Sequence, residues 1–230
     1  MMRYLVFVVF CLATTVGLTS TLKPFLISFD MIWQGMTVGS STLELRAETA
    51  SQWRYTSRSN ARSLFKIFLS GKATQISYFE IDQDIIRPIK YQADDGTEDT
   101  VRDIKLDFNW AENYVRGISE KNLIDLPLKA GIQDNMTAQI SLMVALKNRQ
   151  IPQAFSLVDK NIIKDYQYYL EGEETLNTSI GKLSTVIYSS RRTNSKRSTH
   201  VWYAPSLGYL PVQAKQYKDK NLEWTMRLKN

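Results

Sequence analysis

The residues able to do chemistry are few, and their spacing does not favour it. The chain has one histidine, His200, and one cysteine, Cys11. One histidine excludes a two-histidine zinc site and an HExxH metalloprotease helix. A serine-nucleophile triad would have to use His200, yet no Gly-x-Ser-x-Gly elbow accompanies it. His200 lies in Thr199-His200-Val201-Trp202-Tyr203, which reads as mid-strand, so a hydrogen-bonded sheet histidine is expected there rather than a general base. Asp94, Asp95, Glu98 and Asp99 cluster but lack the ordered ligand spacing of an EF-hand loop. They read as a solvated acidic hairpin. Neither a Walker loop nor a Gly-x-Gly-x-x-Gly fingerprint is present. No catalytic residue, metal ligand or cofactor is assigned. Were the chain a hydrolase, Asp134 or His200 would be the groups to use.

Aromatic side chains are the richer resource, with 12 Tyr, 9 Phe and 5 Trp. Tyr and Trp join a large apolar body to a polar edge, which suits ligand clefts and packed cores alike. Taken with the apolar face of a helix, they give a candidate ligand-contacting set: Trp110, Met136, Ile140, Met143, Tyr168 and Trp202. The alternative is that these side chains fill a core and bind nothing.

Period-two alternation must position them. Phe25, Ile27, Phe29, Met31 and Trp33 occupy every odd position of one segment. Ile104, Leu106, Phe108 and Trp110 alternate with polar residues, as do Leu222, Trp224, Met226 and Leu228. Each has the pattern of an antiparallel strand with one buried face. Gln34-Gly35, Asp94-Asp95-Gly96, Glu171-Gly172-Glu173 and Asp219-Lys220-Asn221 are expected to be turns, and such short connections imply a meander. Two helices are expected. The shorter spans Ser63 to Ser70 and ends at Gly71. The longer runs from about Asp134, which can cap it, to Asn148, before Pro152. Its wide apolar surface (Met136, Ile140, Met143 and Val144, with Leu142 and Leu146) must be covered over much of its circumference. The expected fold class is therefore mainly β: a single curved antiparallel sheet or incomplete barrel of about ten strands, with the longer helix on its concave side.

The ends and the charge bear on location and partners. Arg3, the apolar run Tyr4–Val16 and the small residues Gly17, Thr19 and Ser20 have the order of a cleaved secretory signal, expected over residues 1–20 with the cut somewhere in 17–24. A single β-rich domain is expected over 21–230. Removal of Cys11 leaves a cysteine-free chain, which excludes thiol chemistry. The net charge is +6, and the most basic stretch holds Arg191, Arg192, Lys196 and Arg197. A solvated hairpin tip explains this run, and contact with an anionic membrane surface is the functional alternative. An exported protein rarely meets nucleic acid, and none is expected as a partner.

The stretch Trp202-Tyr203-Ala204-Pro205-Ser206-Leu207-Gly208-Tyr209-Leu210-Pro211-Val212 resembles the C-terminal signature of a bacterial envelope family, domain-of-unknown-function family 3108 (DUF3108). Supporting segments are Tyr55-Thr56-Ser57-Arg58-Ser59, Arg87-Pro88-Ile89-Lys90-Tyr91, Leu126-Pro127-Leu128 and Leu170-Glu171-Gly172-Glu173-Glu174, so the resemblance runs from about Pro24 to the end. It implies a periplasmic β-rich protein and brings no catalytic residues with it. The expected layout is similar to that of periplasmic lipoprotein carriers, incomplete barrels closed by helices over an apolar cavity. The resulting expectation is a periplasmic, non-enzymatic binding or envelope-maintenance protein holding a lipid, an acyl chain or a lipoprotein tail. A scaffold with a filled barrel is the alternative.

Overall fold

Alternation sets which side of each strand is buried, and pairing sets how many strands there are. The computed structural model describes residues 22–61, 72–98, 100–151, 154–159 and 162–229. The signal expected over residues 1–20 and the helix expected over 63–70 lie outside them. The first half comprises β1 (Phe25–Trp33), β2 (Met36–Ala47), β3 (Gln52–Ala61), β4 (Lys72–Asp82), β5 (Ile85–Asp94), β6 (Ile104–Asn109), β7 (Tyr114–Ser119) and β8 (Asn122–Pro127). After β9 (Ile132–Gln133) and the helix α1 (Thr137–Lys147) come β10 (Ala154–Asp159), β11 (Ile162–Thr178), β12 (Gly181–Arg192), β13 (Arg197–Ala204), β14 (Leu210–Lys218) and β15 (Asn221–Leu228). All fifteen strands form one sheet, in which β1 pairs with β15 and successive strands run outward to β8 on one side and β9 on the other. The meander expected from the short turns is present. Only the β9–β10 pairing is parallel among the described pairs.

The expected count of about ten strands was too low. β8 ends on a proline and β9 has two residues; a segment as short as β9 carries no periodicity, and its neighbours place it. Glu171-Gly172-Glu173 also departs from expectation, because β11 runs straight through it. The register against β12 shifts between Leu170 and Gly172, and Gly172 has φ 144°, a conformation that costs glycine little. The feature is a β-bulge, which bends a strand where a turn would have ended it. The short helical pieces among the described residues are 3-10 turns at Thr100–Arg102 and Pro205–Leu207.

The inward faces of the strands and the helix share one core. Phe29, Leu45, Tyr55, Phe79, Tyr91, Leu106 and Val115 pack in the same cluster as Ile140, Leu142, Met143 and Val144 of α1. Eight of the helix's eleven residues are buried, as its wide apolar surface required. A separate, smaller cluster of Leu183, Trp202, Ala204 and Val212 lies on the other face of β12–β14.

Candidate functional site

Helix α1 begins on a buried carboxylate. Asp134 Oδ1 accepts hydrogen bonds from the backbone N–H of Met136 at 2.7 Å and of Thr137 at 2.8 Å. Thr137 Oγ1 in return accepts from the Asp134 N–H at 3.0 Å. This reciprocal cap satisfies donors that a helix start leaves open. Ser77 Oγ on β4 donates to the second carboxylate oxygen at 2.6 Å. Asp134 has no exposed surface, and burial pushes its carboxyl up to about 6 against the hydrogen bonds that favour the ion.

Further polar contacts hold the helix against β3–β5. The Tyr55 hydroxyl donates to Gln139 Oε1. Gln133 Nε2 donates to the Ile86 carbonyl at 3.0 Å, and Ser141 Oγ to Gln133 Oε1 at 3.0 Å. At the far end Asn148 Nδ2 donates to Asp84 Oδ2 at 2.9 Å. Burial pushes the Tyr55 and Tyr91 phenols upward, in Tyr91 with a contribution from nearby Asp134, so both remain neutral donors. On its other sides the helix is bordered by clefts.

One cleft encloses about 440 Å³ at the C-terminal end of α1. Leu22 and Phe25 bring the start of β1 to it, Met143 and Val144 the last turns of the helix, and Leu207 and Leu210 the turn between β13 and β14. Lys23 and Lys147 also border it, and both are solvent-exposed. Pro205 opens the 3-10 turn, and Gly208 closes it with φ 69°, so that turn is well defined. A second cleft, of about 290 Å³, lies between the helix and β10–β13 and is lined by Tyr166, Tyr168, Tyr188 and Tyr203 with Asn135 and Gln139. A third, of about 400 Å³, lies between the helix and the residues flanking β5 and β10.

The six residues expected to contact a ligand do not form one site. Met143 borders the cleft at the end of α1 and Tyr168 the tyrosine-lined one. Met136 and Ile140 are packed in the main core. Trp110 packs against the same core, its Nε1 donating to the Pro88 carbonyl at 2.7 Å. Trp202 belongs to the smaller cluster on the opposite face, where its Nε1 donates to Glu174 Oε2 at 2.7 Å. Tyr209, on the far side of the turn after β13, packs on the main core instead. The cause is alternation: Tyr203 faces inward, so Trp202 faces outward.

His200 shares the outward face of Trp202. Its Nε2 lies 3.4 Å from Ser198 Oγ, and its ring meets Tyr217 edge-on at 5.0 Å. Thr199 and Val201, of opposite parity, border the tyrosine cleft. His200 and Asp134 thus stand on opposite sides of the sheet. In the acidic hairpin, carboxylate oxygens of Asp94, Asp95 and Asp103 lie within 4.8 Å of one another. Asp94 accepts from the Gly96 N–H at 2.7 Å, Asp95 accepts from Thr97, and Arg102 lies 3.7 Å from Asp95.

Sequence reasoning did not find Leu22, Lys23, Phe25, Lys147, Leu207 and Leu210 as one cleft. They come from three distant segments, each legible alone as a strand start, a helix end or a turn. Only the pairing of β13, β14, β15 and β1 brings them together.

Among solved structures, the fold is similar to a beta-barrel-like protein of domain of unknown function DUF1849 from Brucella abortus, with TM-score 0.55 and 9% identity over 90% of this chain and 96% of that one. A protein with a YmcC-like fold from Bacteroides fragilis superposes less well, with TM-score 0.38 and 13% identity over 89% and 95%. No curated protein matches the sequence significantly. No helix among the described residues is long and apolar enough to cross a membrane. The model of the family described as "Protein of unknown function (DUF3108)" matches residues 28–225, from within β1 to within β15, and the chain belongs to that family.

Proposed function

We propose that this chain is a non-enzymatic binding protein of the cell envelope that holds one acyl chain of an anionic amphiphile in the cleft at the end of α1. The supporting observation is the lining of that cleft, where Leu22, Phe25, Met143, Val144, Leu207 and Leu210 stand beside two lysines. An apolar wall transfers a hydrocarbon tail out of water, and Lys23 and Lys147 offer a carboxylate or phosphate a counter-charge in solvent. Its volume of about 440 Å³ is in the usual range for small-molecule sites, about 300–1,000 Å³. Placement in the periplasm rests on the charged, apolar and small-residue order of the first twenty residues.

Titration with a fluorescent fatty acid such as parinaric acid tests the reading. The protein is expected to saturate at one site. The double variant Lys23→Glu/Lys147→Glu should weaken the acid about tenfold or more, equivalent to about 1.4 kcal/mol, with little effect on an uncharged acyl alcohol. Leu207→Arg, at a half-exposed position of the cleft wall, should block both. Binding that is absent, or indifferent to Leu207→Arg, would refute acyl-chain capture here and favour a filled scaffold.

A further inference from the structure

We infer that the rim at the other end of the strands, made by three adjacent hairpin tips, is a docking surface for an anionic lipid bilayer. The tips belong to β1–β2, β14–β15 and β12–β13. Ile32 pairs with Thr225, so Trp33, one residue further, reaches the turn end of β15. The Asp219 N–H donates to the Lys196 carbonyl at 2.6 Å, tying the β14–β15 tip to the β12–β13 tip. Arg197 spans the same junction with two hydrogen bonds to Glu223, at 2.9 and 3.1 Å. The rim is therefore one continuous surface.

Its composition combines exposed apolar side chains with cations. Trp33, Met36 and Leu222 are 45%, 51% and 53% exposed, large apolar side chains at tips where no core can take them in. The tips of β12–β13 and β14–β15 carry Arg191, Arg192, Lys196, Arg197, Lys218 and Lys220, against the carboxylates of Asp219 and Glu223. Arg191 lies over the Tyr169 ring at 4.6 Å, and Tyr169 is itself 40% exposed. A bilayer interface takes Trp and apolar tips at headgroup depth, and anionic headgroups draw in the surrounding cations. Nucleic acid would satisfy the cations and could stack on Trp33, but would leave the aliphatic Met36 and Leu222 at the tips in water. The acyl-chain cleft is at the opposite end of the strands and would face away from such a membrane, so this inference is independent of the acyl-chain reading.

The test is sedimentation of the protein, purified from its host, with vesicles of phosphatidylcholine with and without phosphatidylglycerol. Binding is expected only with phosphatidylglycerol, together with a blue shift of tryptophan emission that Trp33→Phe diminishes. Trp33→Ser/Met36→Ser and Lys196→Gln/Lys218→Gln/Lys220→Gln, each checked for unchanged thermal unfolding, should weaken binding about tenfold or more. Failure to bind phosphatidylglycerol vesicles would overturn the inference. So would binding that the Trp33/Met36 variant leaves intact, or equal capture of duplex DNA with no emission shift. The last two results would mark the rim as a general polyanion surface.

Discussion

Replacing Trp202 with alanine is expected to lower the unfolding free energy by about 3–5 kcal/mol and to leave acyl-chain binding unchanged. Trp202 is 5% exposed and packs with Leu183, Ala204 and Val212. Its indole donates to Glu174 across β12, and Lys215 Nζ lies 4.9 Å from the ring centroid. Truncation therefore removes the largest side chain of a small cluster and strips a partner from Glu174. Chemical denaturation of the variant, alongside the fatty-acid titration, checks both halves. Unchanged unfolding with binding lost would instead put Trp202 at a ligand site.

The second large effect is a pH dependence at Asp134. Its carboxyl is held at about 6 in the folded chain, chiefly by burial, against 3.8 when unperturbed. Between these values the folded state keeps a proton that the unfolded state has released. Stability from this group is thus full in acid and is lost as pH rises through about 6. The difference corresponds to roughly 3 kcal/mol. Asp134→Asn removes the titration and retains an oxygen to cap the helix, so wild-type stability minus variant stability should fall by about this amount between about pH 4 and about pH 7. A flat difference would mean that the carboxyl ionises as it does in the unfolded chain.

Much of the sheet was legible because alternation reports burial directly. Phe25–Trp33 reads as β1 without ambiguity, since polar Ser28 and Asp30 alternate with apolar neighbours. The same signal is silent where both faces of a strand are apolar. In Val201-Trp202-Tyr203-Ala204 every residue suits a core, and sequence could not tell that Tyr203 joins the main cluster while Trp202 joins the outer one. The bulge at Gly172 was misread for a related reason: glycine between two glutamates serves a turn and a bulge equally, and only pairing with β12 separates them. The helix was read correctly in place and in burial, because Asp134 and Pro152 bracket a face too apolar for water. That its C-terminal turn would border a cleft with Lys23 and Leu207 depended on long-range pairing.

Capture of an acyl chain is tested most directly by native mass spectrometry of protein purified gently from its host, with no lipid added. The expected result is a discrete adduct, one per chain, with the mass of a single acyl amphiphile, absent from Leu207→Arg prepared in the same way. Wild-type protein that shows only its polypeptide mass, and still does so after incubation with excess fatty acid, would contradict the account.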